Sequence, residues 1–439
     1  MQNILLSVLG GSDQMKIYEI RDPVYGFITF NDWEKEIIDH PAFQRLRRIH
    51  QLSLTSMVYP GATHTRFEHS LGVMQFATLM YDAIVNNDDS KKILEDRLSY
   101  NEAGLKKDKQ LIRLAALLHD VGHAPFSHAT EEIMPINDQT GKLHRHEDYT
   151  TAIIKGPLKK VIENHQINKT NYNITAEEVA ALIEGNVEIL RDRIFWKVII
   201  SSQLDADKGD YLLRDSYYVG VKYGIYDHSR LINTIALGVD PESEEVVLGV
   251  NQDGWHVAES IVIARYQIFT QVYFHKTRRA YDYHIKEAMK KVLDNSKLPT
   301  PKDIDKFIGL DDYTIFALFR ENDTDFNCNS ILNRNHIRVV YHTPETPTES
   351  DEVENNEIKK KLEDKGIWFY EDKALKLWYK LNGDDEEDKE IMIISGKEKK
   401  ARPLSELSPF VHNLKEVKQL RIYVKFDDKE KANEVLNDG

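Results

Sequence analysis

The stretch LAALLHDVGHAPFSHATEE, residues 114–132, ends an apolar run on a cluster of titratable side chains. The overlapping segment DKQLIRLAALLHD (108–120) carries apolar residues around most of a helix, which is typical of a buried helix. Gly122 then supplies a break, and Pro125 suits the first turn of a new helix. The titratable residues are therefore expected at the end of one helix, on the turn and at the start of the next, and they are His119, Asp120, His123 and His128.

This cluster has the chemistry of a metal site. Imidazole and carboxylate are good ligands for divalent metals, and adjacent helix positions about 100° apart can both reach one ion beyond the helix end. A metal would also offset the cost of burying the Asp120 carboxylate. The alternative is that these are ordinary core or capping side chains, but ionisable clusters in buried settings favour functional sites. Further ligands must come from elsewhere, and composition alone does not choose among His69, His144, His146, Asp205, Asp207, Asp210 and Asp215.

The length, net charge and cysteine count of the chain limit the class of protein to which it can belong. At roughly 150 residues per domain, 439 residues allow two or three domains. A formal net charge of −14 argues against whole-chain attraction to nucleic acid or anionic membranes, so neither partner is expected. No apolar run approaches the roughly 18–20 residues of a membrane helix, and the opening MQNILLSVLGG lacks the basic start of a signal peptide. The single cysteine, Cys328, excludes an intramolecular disulfide and fits a cytoplasmic location.

Residues 1–325 are predicted to form a mainly α-helical core. RLINTIALGV (230–239) and the long segment 258–293 carry apolar residues at helical spacing. DPVYGFITF (22–30) is the early exception, because its alternation, Pro23 and Gly26 predict a hairpin or an extended piece.

Residues 326–439 are predicted to form a smaller α+β domain, with a regulatory or oligomerisation role. Strand-like segments are IRVVYH, GIWFYEDKALKLWYK, EIMIISGK and QLRIYVKF. The acidic run NGDDEEDKE (382–390) predicts a turn or mobile loop.

Six segments resemble, in order and wording, the HD-domain deoxynucleoside triphosphate triphosphohydrolases, which carry the pattern His…His-Asp…Asp. They are DPVYGFITF, IIDHPAFQRLRRIHQL, YPGATHTRFEHSLG, LLHDVGHAPFSH, HRHE and DADKGDYLLRD. The resemblance covers roughly residues 17–285 well and the C-terminal region loosely. It implies an HD-domain helical core, with the HD motif segments in residues 40–220.

The resemblance also implies a set of functional residues. The family's metal ligands fall on His69, His119, Asp120 and Asp207, and the implied cofactor is a divalent metal ion: Mg, Mn, Fe, Co or Zn. Its catalytic groups fall on Arg66, His123, His128, Glu131 and His146. Its substrate contacts fall on Gln51, Arg66, Lys208, Tyr211, Asp215 and Tyr281.

Some phosphate-binding positions depart from the family pattern. The animal members have an arginine and a histidine where this chain has Tyr273 and Thr277. His275 and Lys276 lie between these positions, and either residue could substitute for the missing cations; Lys276 is predicted to be a substrate-binding residue.

The implied reaction is hydrolysis of a dNTP to deoxynucleoside and inorganic triphosphate. The departing 5′-oxygen needs a proton, and His128 is the candidate general acid, with His123 and Glu131 tuning its proton affinity. Arg66, Lys208 and other local cations would offset the triphosphate charge despite the acidic total.

A second nucleotide site is implied by Asp39, Gln44 and Arg47, which match residues that bind an activating guanine nucleotide in the family. We therefore expect activation by GTP or a dNTP. Such sites lie between subunits, so the resemblance implies a homotetramer.

Two other functions compete with this one. The chain could be another HD phosphohydrolase, a nucleotidase or a phosphodiesterase for cyclic nucleotides or alarmones, but the sugar-site matches at Gln51, Asp215 and Tyr281 argue against that. It could instead be a nucleotide-sensing scaffold with a vestigial site, and the complete metal-ligand set argues against that reading.

Overall fold

The computed structural model describes residues 16–376, 379 and 389–437. The described chain is mainly helical, with a smaller C-terminal part that contains sheets, which confirms the predicted fold class. The opening stretch MQNILLSVLGG and most of the acidic run 382–390 lie outside the described residues. Within the described part, no helix is both long and apolar enough to cross a membrane.

The α-helices are numbered in chain order. Those that come before residue 300 are α1 (Asp32–Asp39), α2 (Pro41–Gln44), α3 (Arg66–Val85), α4 (Asp88–Leu98), α5 (Glu102–Leu118), α6 (His146–Lys155), α7 (Lys159–Asn164), α8 (Gln166–Asn171), α9 (Ala176–Glu184), α10 (Val187–Leu190), α11 (Lys197–Ile200), α12 (Ala206–Val219), α13 (His228–Thr234), α14 (Trp255–Ile268) and α15 (Lys276–Val292). Those that follow are α16 (Ile304–Ile308), α17 (Asp312–Glu321), α18 (Phe326–Leu332), α19 (Glu349–Asp364), α20 (Pro409–His412) and α21 (Lys429–Asn437).

The strands form three groups. They are β1 (Ile17–Asp22), β2 (Gly26–Asn31), β3 (Ile235–Val239), β4 (Val246–Asn251), β5 (Arg338–His342), β6 (Phe369–Lys376), β7 (Met392–Ser395), β8 (Lys400–Pro403) and β9 (Val417–Val424). β1 and β2 form an antiparallel hairpin, β3, β4, β7 and β8 close into a small barrel, and β9 lies between β5 and β6 in an antiparallel sheet.

The predicted hairpin is present, and its turn chemistry explains it. Gly26 has a positive φ of 79°, which glycine adopts without a Cβ penalty. The Asp22 carboxylate accepts backbone N–H bonds from Val24 and Tyr25 at 2.8 and 2.9 Å. Asn31, at the end of β2, then caps α1 by accepting the N–H of Glu34.

The core of the molecule surrounds α3 and α5, whose inner residues are almost all buried. α12 packs against α3 through two glycines. A Cβ on Gly209 would lie 2.3 Å from the Phe76 ring, and one on Gly72 would lie 1.9 Å from an Asp210 carboxylate oxygen. These glycines let α12 approach α3 closely enough to bring their polar side chains together.

Two helical predictions need correction. RLINTIALGV is not one helix, because α13 ends at Thr234 and the apolar run that follows forms β3, paired with β4. A short run buried on all sides has no periodicity that separates strand from helix. The segment 258–293 is helical but not continuous, since a π-helical turn over Phe269–Tyr273 separates α14 from α15.

The C-terminal strands contact two parts of the molecule. β7 and β8 pair with β4 and β3, whereas β5, β9 and β6 form their own sheet, covered by α19 and α21. His284 of α15 is a tie between this sheet and the helices. Its Nε2 accepts the N–H of Ile337, just before β5, and its Nδ1 bonds to Asn327 of α18. The division of the chain at residues 325 and 326 stays a prediction.

Gly209→Ala should destabilise the fold because the new methyl group meets the Phe76 ring. We expect a loss of about 1–3 kcal/mol in the free energy of unfolding, the usual cost of overpacking, measured by denaturant titration. The control is Gly104→Ala in the first turn of α5, where the nearest atom to a Cβ is 3.5 Å away. Equal stability of the two variants would contradict this account of α3–α12 packing.

Acid should destabilise the protein through His284. Burial lowers the pKa of this side chain from 6.5 to about 4. Between these values the unfolded chain binds a proton that the folded chain does not, so stability is lost as pH falls from about 6.5 to about 4, by roughly 3 kcal/mol. The slope of unfolding free energy against pH should therefore be shallower in His284→Gln; an unchanged slope would exclude this origin.

Candidate functional site

Residues from distant segments converge on one cavity of about 650 Å³. The predicted site residues that line it are Gln51, Arg66, His119, Asp120, His123, His128, Glu131, His146, Asp207, Lys208, Tyr211 and Asp215. They come from the loop before α3, the first turn of α3, the end of α5, the turn and the 3-10 helix after it, the beginning of α6, and α12. His69 is buried directly behind the cavity, where it contacts Asp207.

Three side chains form a donor set for a metal ion. The Asp207 Oδ1 atom lies 3.1 Å from His69 Nε2 and 3.8 Å from His119 Nε2. Both Nε2 atoms are buried and make no hydrogen bond with the described residues. Unpaired imidazole nitrogens that converge with a carboxylate fit a divalent metal, because the ion would supply the missing partner.

Asp120 lies at the edge of this donor set. One of its oxygens is 3.3 Å from His119 Nε2, the other is 3.5 Å from His69 Nε2, and Arg66 contacts the second oxygen. Burial alone would raise the pKa of Asp120, but the cationic neighbours, Arg66 first, hold it well below its ordinary value. A second group of donors, Asp120, His123 and His146, is also close-set. It fits a metal less well because the ring nitrogens of His123 and His146 are not buried and unpaired as His69 Nε2 and His119 Nε2 are.

The two metal-facing imidazoles are oriented through their other nitrogens. His69 Nδ1 contacts Asp210 at 2.8 Å, and His119 Nδ1 contacts the carbonyl of Ala116 at 2.8 Å. Asp210 also accepts two bonds from Arg214, at 2.8 and 2.9 Å. With Nδ1 as the donor, Nε2 keeps its lone pair for a metal, which is the usual outer arrangement of histidine ligands.

These acids and histidines strongly shift one another's pKa values. Burial would lower the pKa of His69, but the nearby carboxylates of Asp207 and Asp210 raise it to about 10. Burial would raise the pKa of Asp207, but His119 and His69 hold it well below its usual range. The carboxylates are therefore ionised at neutral pH and able to bind a cation.

Gly122 allows α6 to pack on the turn after α5. A Cβ there would lie 2.2 Å from the Thr150 nitrogen and 2.4 Å from the His146 carbonyl. The Thr150 hydroxyl accepts the N–H of Gly122 and donates to the carbonyl of His119. This contact places His146, the first residue of α6, beside His123, with ring centroids 4.0 Å apart.

The new helix that the sequence predicted near Pro125 is a 3-10 helix, Ser127–Ile133. Phe126 and Ser127 both have positive φ, at 59° and 54°, a backbone conformation that is costly for non-glycine residues. Asp312 of α17 accepts the N–H of Phe126, and the Ser127 hydroxyl accepts from Arg66 Nε at 2.8 Å. These bonds fix the turn that carries His128.

His128 and Glu131 form a pair at the cavity wall, with Nδ1 and Oε1 2.6 Å apart and both side chains more than half exposed. Burial would raise the pKa of Glu131, but the contact with His128 lowers it. His123 is deeply buried, and burial together with the Arg66 charge holds its pKa well below the usual value. The exposed His128 is thus the better placed of the two to exchange protons with a bound molecule.

Polar groups suited to a sugar and phosphates line the rest of the cavity. Gln51 is buried, and its Oε1 has no partner among the described residues. Asp215 contacts His64 Nε2 at 2.8 Å and accepts a bond from the Tyr273 hydroxyl. Lys208 is paired with Asp205 at 2.6 Å.

Tyr281 and Lys276 do not line this cavity. Tyr281 is fully buried against His336, and Lys276 borders a separate, smaller cleft beside β5. Lys276 is the first residue of α15, at the end of the helix that lies against β9, where the Tyr423 hydroxyl donates to the Lys276 carbonyl. The residues of α15 that reach the cavity, such as Arg278 and Lys286, lie further along the helix.

The three residues expected at a second nucleotide site lie close together on the surface. The Gln44 amide donates to the carbonyl of Ile38, beside Asp39, and accepts from Arg47 Nε at 2.9 Å. The Arg47 guanidinium stacks over the Phe67 ring.

Several supporting residues escaped the sequence reasoning. Asp210 was only one of several candidates, although its spacing of three from Asp207 and four from Arg214 could have indicated a shared helix face. Asp312 and the cavity arginine Arg265 lie on helices outside the motif segments, and no local signal marks them.

The chain matches the model of the HD domain over residues 66–194 and that of the HD-associated region over residues 226–367. It is 34% identical to the uncharacterised protein YwfO of Bacillus subtilis, over 59% of this chain and 52% of that protein. It is 28% identical to the deoxynucleoside triphosphate triphosphohydrolase SAMHD1 homologue of Dictyostelium discoideum, over 73% of this chain and 59% of that one. The chain thus spans about half the length of these relatives.

A solved structure has a similar fold over most of the chain. A hypothetical protein from Aquifex aeolicus superposes with a TM-score of 0.76 and 31% identity, covering 96% of this chain and 100% of the other.

Asp210→Asn should weaken metal binding without removing a ligand, because the amide no longer fixes the His69 tautomer as a carboxylate does. We expect a loss of about 10–100-fold in metal affinity, measured by titration of chelated protein with Mn²⁺. The control is Asp148→Asn, which removes a contact of His144 outside the cavity. Equal affinities in the two variants would exclude the orienting role.

Three observations indicate an HD-domain protein with a metal site. They are the buried His/Asp donor set with unpaired imidazole nitrogens, the match to the HD model and the similarity to these relatives. The chain contains an HD domain with a candidate site for a divalent metal ion, and it is similar to the deoxynucleoside triphosphate triphosphohydrolases.

Proposed function

We propose that the chain hydrolyses dNTPs to deoxynucleoside and inorganic triphosphate. The observation that carries this proposal is the shared cavity. One space of about 650 Å³ is bordered by His119 and Asp207 of the metal donor set and by the His128–Glu131 pair. Gln51, Tyr211 and Asp215, the residues proposed to contact the sugar, border the same space. A nucleotide with its α-phosphate at the donor set can reach each of them.

The chemistry is hydrolysis at the α-phosphorus. Water forms the new P–O bond, the bond from phosphorus to the 5′-oxygen breaks, and that oxygen takes up a proton. A divalent metal held by His69, His119, Asp120 and Asp207 supplies Lewis acidity when bound. Arg66 is anchored by Ser127 and Asp120, so it presents a fixed positive charge beside the α-phosphate position.

His128 is the proposed proton donor to the leaving 5′-oxygen. Its Nδ1 contacts Glu131 at 2.6 Å, which orients the ring and leaves Nε2 to donate to the bound substrate. His123 and His146, stacked side by side and kept neutral by burial, complete the wall behind it.

The rest of the cavity suits a deoxyribose and its phosphates. The unpaired Gln51 oxygen and the Asp215 carboxylate are acceptors for the sugar 3′-hydroxyl. Lys208 and Tyr211, both on the first turns of α12, are phosphate and sugar contacts. Tyr281 and Lys276 are not part of the proposed pocket.

We also propose an activating nucleotide, GTP or a dNTP, at Asp39, Gln44 and Arg47, and a homotetramer in which this surface lies between subunits. Support comes from the resemblance and from the clustering of the three side chains, with the Arg47 charge exposed. The buried free thiol of Cys328 fits a cytoplasmic location.

Product analysis tests the proposal. Purified, Mn²⁺-loaded protein is incubated with each of the four dNTPs, with and without GTP, and the products are separated by ion-exchange chromatography. Deoxynucleoside plus triphosphate is the expected result, with a higher rate when GTP is present. Asp120→Ala should abolish turnover, and His128→Gln should lower kcat by about 10²–10⁴-fold, as for a lost general acid.

The matched control is Asp364→Ala, an exposed acid at the end of α19 that should leave the rate unchanged. Release of pyrophosphate or orthophosphate would instead indicate another class of HD phosphohydrolase. Full activity of Asp120→Ala would contradict the assignment of the site.

A further inference from the structure

Arg265 of α14 is a buried arginine that borders the cavity. Its side chain donates from Nη1 to the Gln203 amide oxygen at 2.8 Å, and its Nε has no hydrogen-bond partner among the described residues. The residue is only 6% exposed. A guanidinium removed from water in this way is costly unless an anion compensates it.

The other cations of this cavity already have carboxylate partners. These pairs are Arg66–Asp120, Lys208–Asp205, Arg278–Asp282, Arg279–Asp372 and Lys286–Glu132. Within residues 16–376, 379 and 389–437, no carboxylate oxygen lies within 4 Å of Arg265. The Arg278 pair is the loosest of the five, at 3.5 Å, and its Nε is also unpaired.

Arg265 and Tyr211, a residue assigned to the substrate, both line the cavity. Gln203, the hydrogen-bond partner of Arg265, precedes Asp207 by four residues. Burial raises the pKa of the Tyr211 phenol, and the positive charge of Arg265 opposes this rise, so the two side chains interact electrostatically.

Two positions after α14 at which the family resemblance predicts cations carry none in this chain. At position 273 a tyrosine donates its hydroxyl to Asp215, and Thr277 points to the smaller cleft beside β5. Arg265, one helix earlier, places a positive charge at the wall of the cavity. Guanidinium groups bind phosphate through paired N–H donors, and the free Nε of Arg265 offers such a donor.

We propose that Arg265 binds the outer phosphates of the substrate, with Arg278 as a second and partly neutralised cation. This inference rests on the proposed function and adds the groups that select a polyphosphate tail. An uncompensated, buried cation in the cavity discriminates against substrates that lack the outer phosphates, because only those phosphates satisfy it.

The test is direct binding of inorganic triphosphate to the Mn²⁺-loaded protein, measured by calorimetry, together with KM for the best dNTP. Arg265→Gln should weaken triphosphate binding and raise KM by about 10–100-fold, the effect of losing one charge-assisted contact. Arg265→Lys keeps the charge but not the paired donors, so its triphosphate affinity and KM should lie between those of the unmodified protein and those of Arg265→Gln. Binding of inorganic monophosphate should change less than binding of triphosphate.

Gln203→Glu is the sharper variant because it keeps the arginine and the shape of the site. The new carboxylate would form an ion pair with Arg265 and neutralise its charge, so triphosphate should again bind more weakly. The variant should be at least as stable to heat as the unmodified protein. Arg97→Gln, an exposed arginine on α4 away from the cavity, is the matched control.

The outcomes separate this inference from the proposed function. Unchanged triphosphate binding in Arg265→Gln and Gln203→Glu overturns the role of Arg265, even if dNTPs are hydrolysed. Weakened binding without any dNTP hydrolysis keeps Arg265 as a polyphosphate-binding residue and refutes the proposed reaction. If Arg265→Gln does not fold, the Gln203→Glu measurement decides.

Discussion

The hydrogen bond between His69 Nδ1 and Asp210 is the contact on which the rest of the site depends. It joins α3 to α12, fixes the His69 tautomer and leaves Nε2 facing Asp207. Asp210 is fixed in turn by Arg214, which also contacts Asp22 at the start of the hairpin turn. The bond forms only because Gly72 and Gly209 allow the two helices to approach closely. Packing and chemistry are therefore coupled at one point, as is common for the outer partners of metal ligands.

The turn that precedes His128 has a strained backbone, which contacts from distant parts of the chain stabilise. The consecutive positive φ angles at Phe126 and Ser127 persist because Asp312, far along the sequence, accepts the Phe126 N–H. The second Asp312 oxygen contacts both the backbone and the ring of His50. This arrangement directs His128 toward the cavity while Arg66 is held against Ser127. Such local strain is found where a functional group must be aimed against the preference of its backbone.

Acidic and basic side chains are unevenly distributed around the cavity. Carboxylates and histidines concentrate at the donor set, where their mutual contacts keep the acids ionised despite burial. Arg66 and Lys208 lie among these acids, and the other cavity cations lie on α14 and α15. Of these cations, Arg265 has no carboxylate partner in the described part of the chain, whereas the others do. An overall charge of −14 therefore says little about the ligand, because the field that a bound anion meets is set locally.

The sequence by itself determined the helical core, the early hairpin and the grouping of His119, Asp120, His123 and His128, because each depends on local periodicity, turn chemistry or adjacency in the chain. It also indicated where the distant partners lie, through the resemblance of TRFEHSLG and DKGDYLLRD to a known family. Only the tertiary structure decided that Asp210 orients His69, that β3 is a strand, and that α15 directs Arg278 rather than Lys276 into the cavity. The placement of α15, strand pairing and the burial of Arg265 depend on contacts between residues far apart in the chain, which local pattern does not encode.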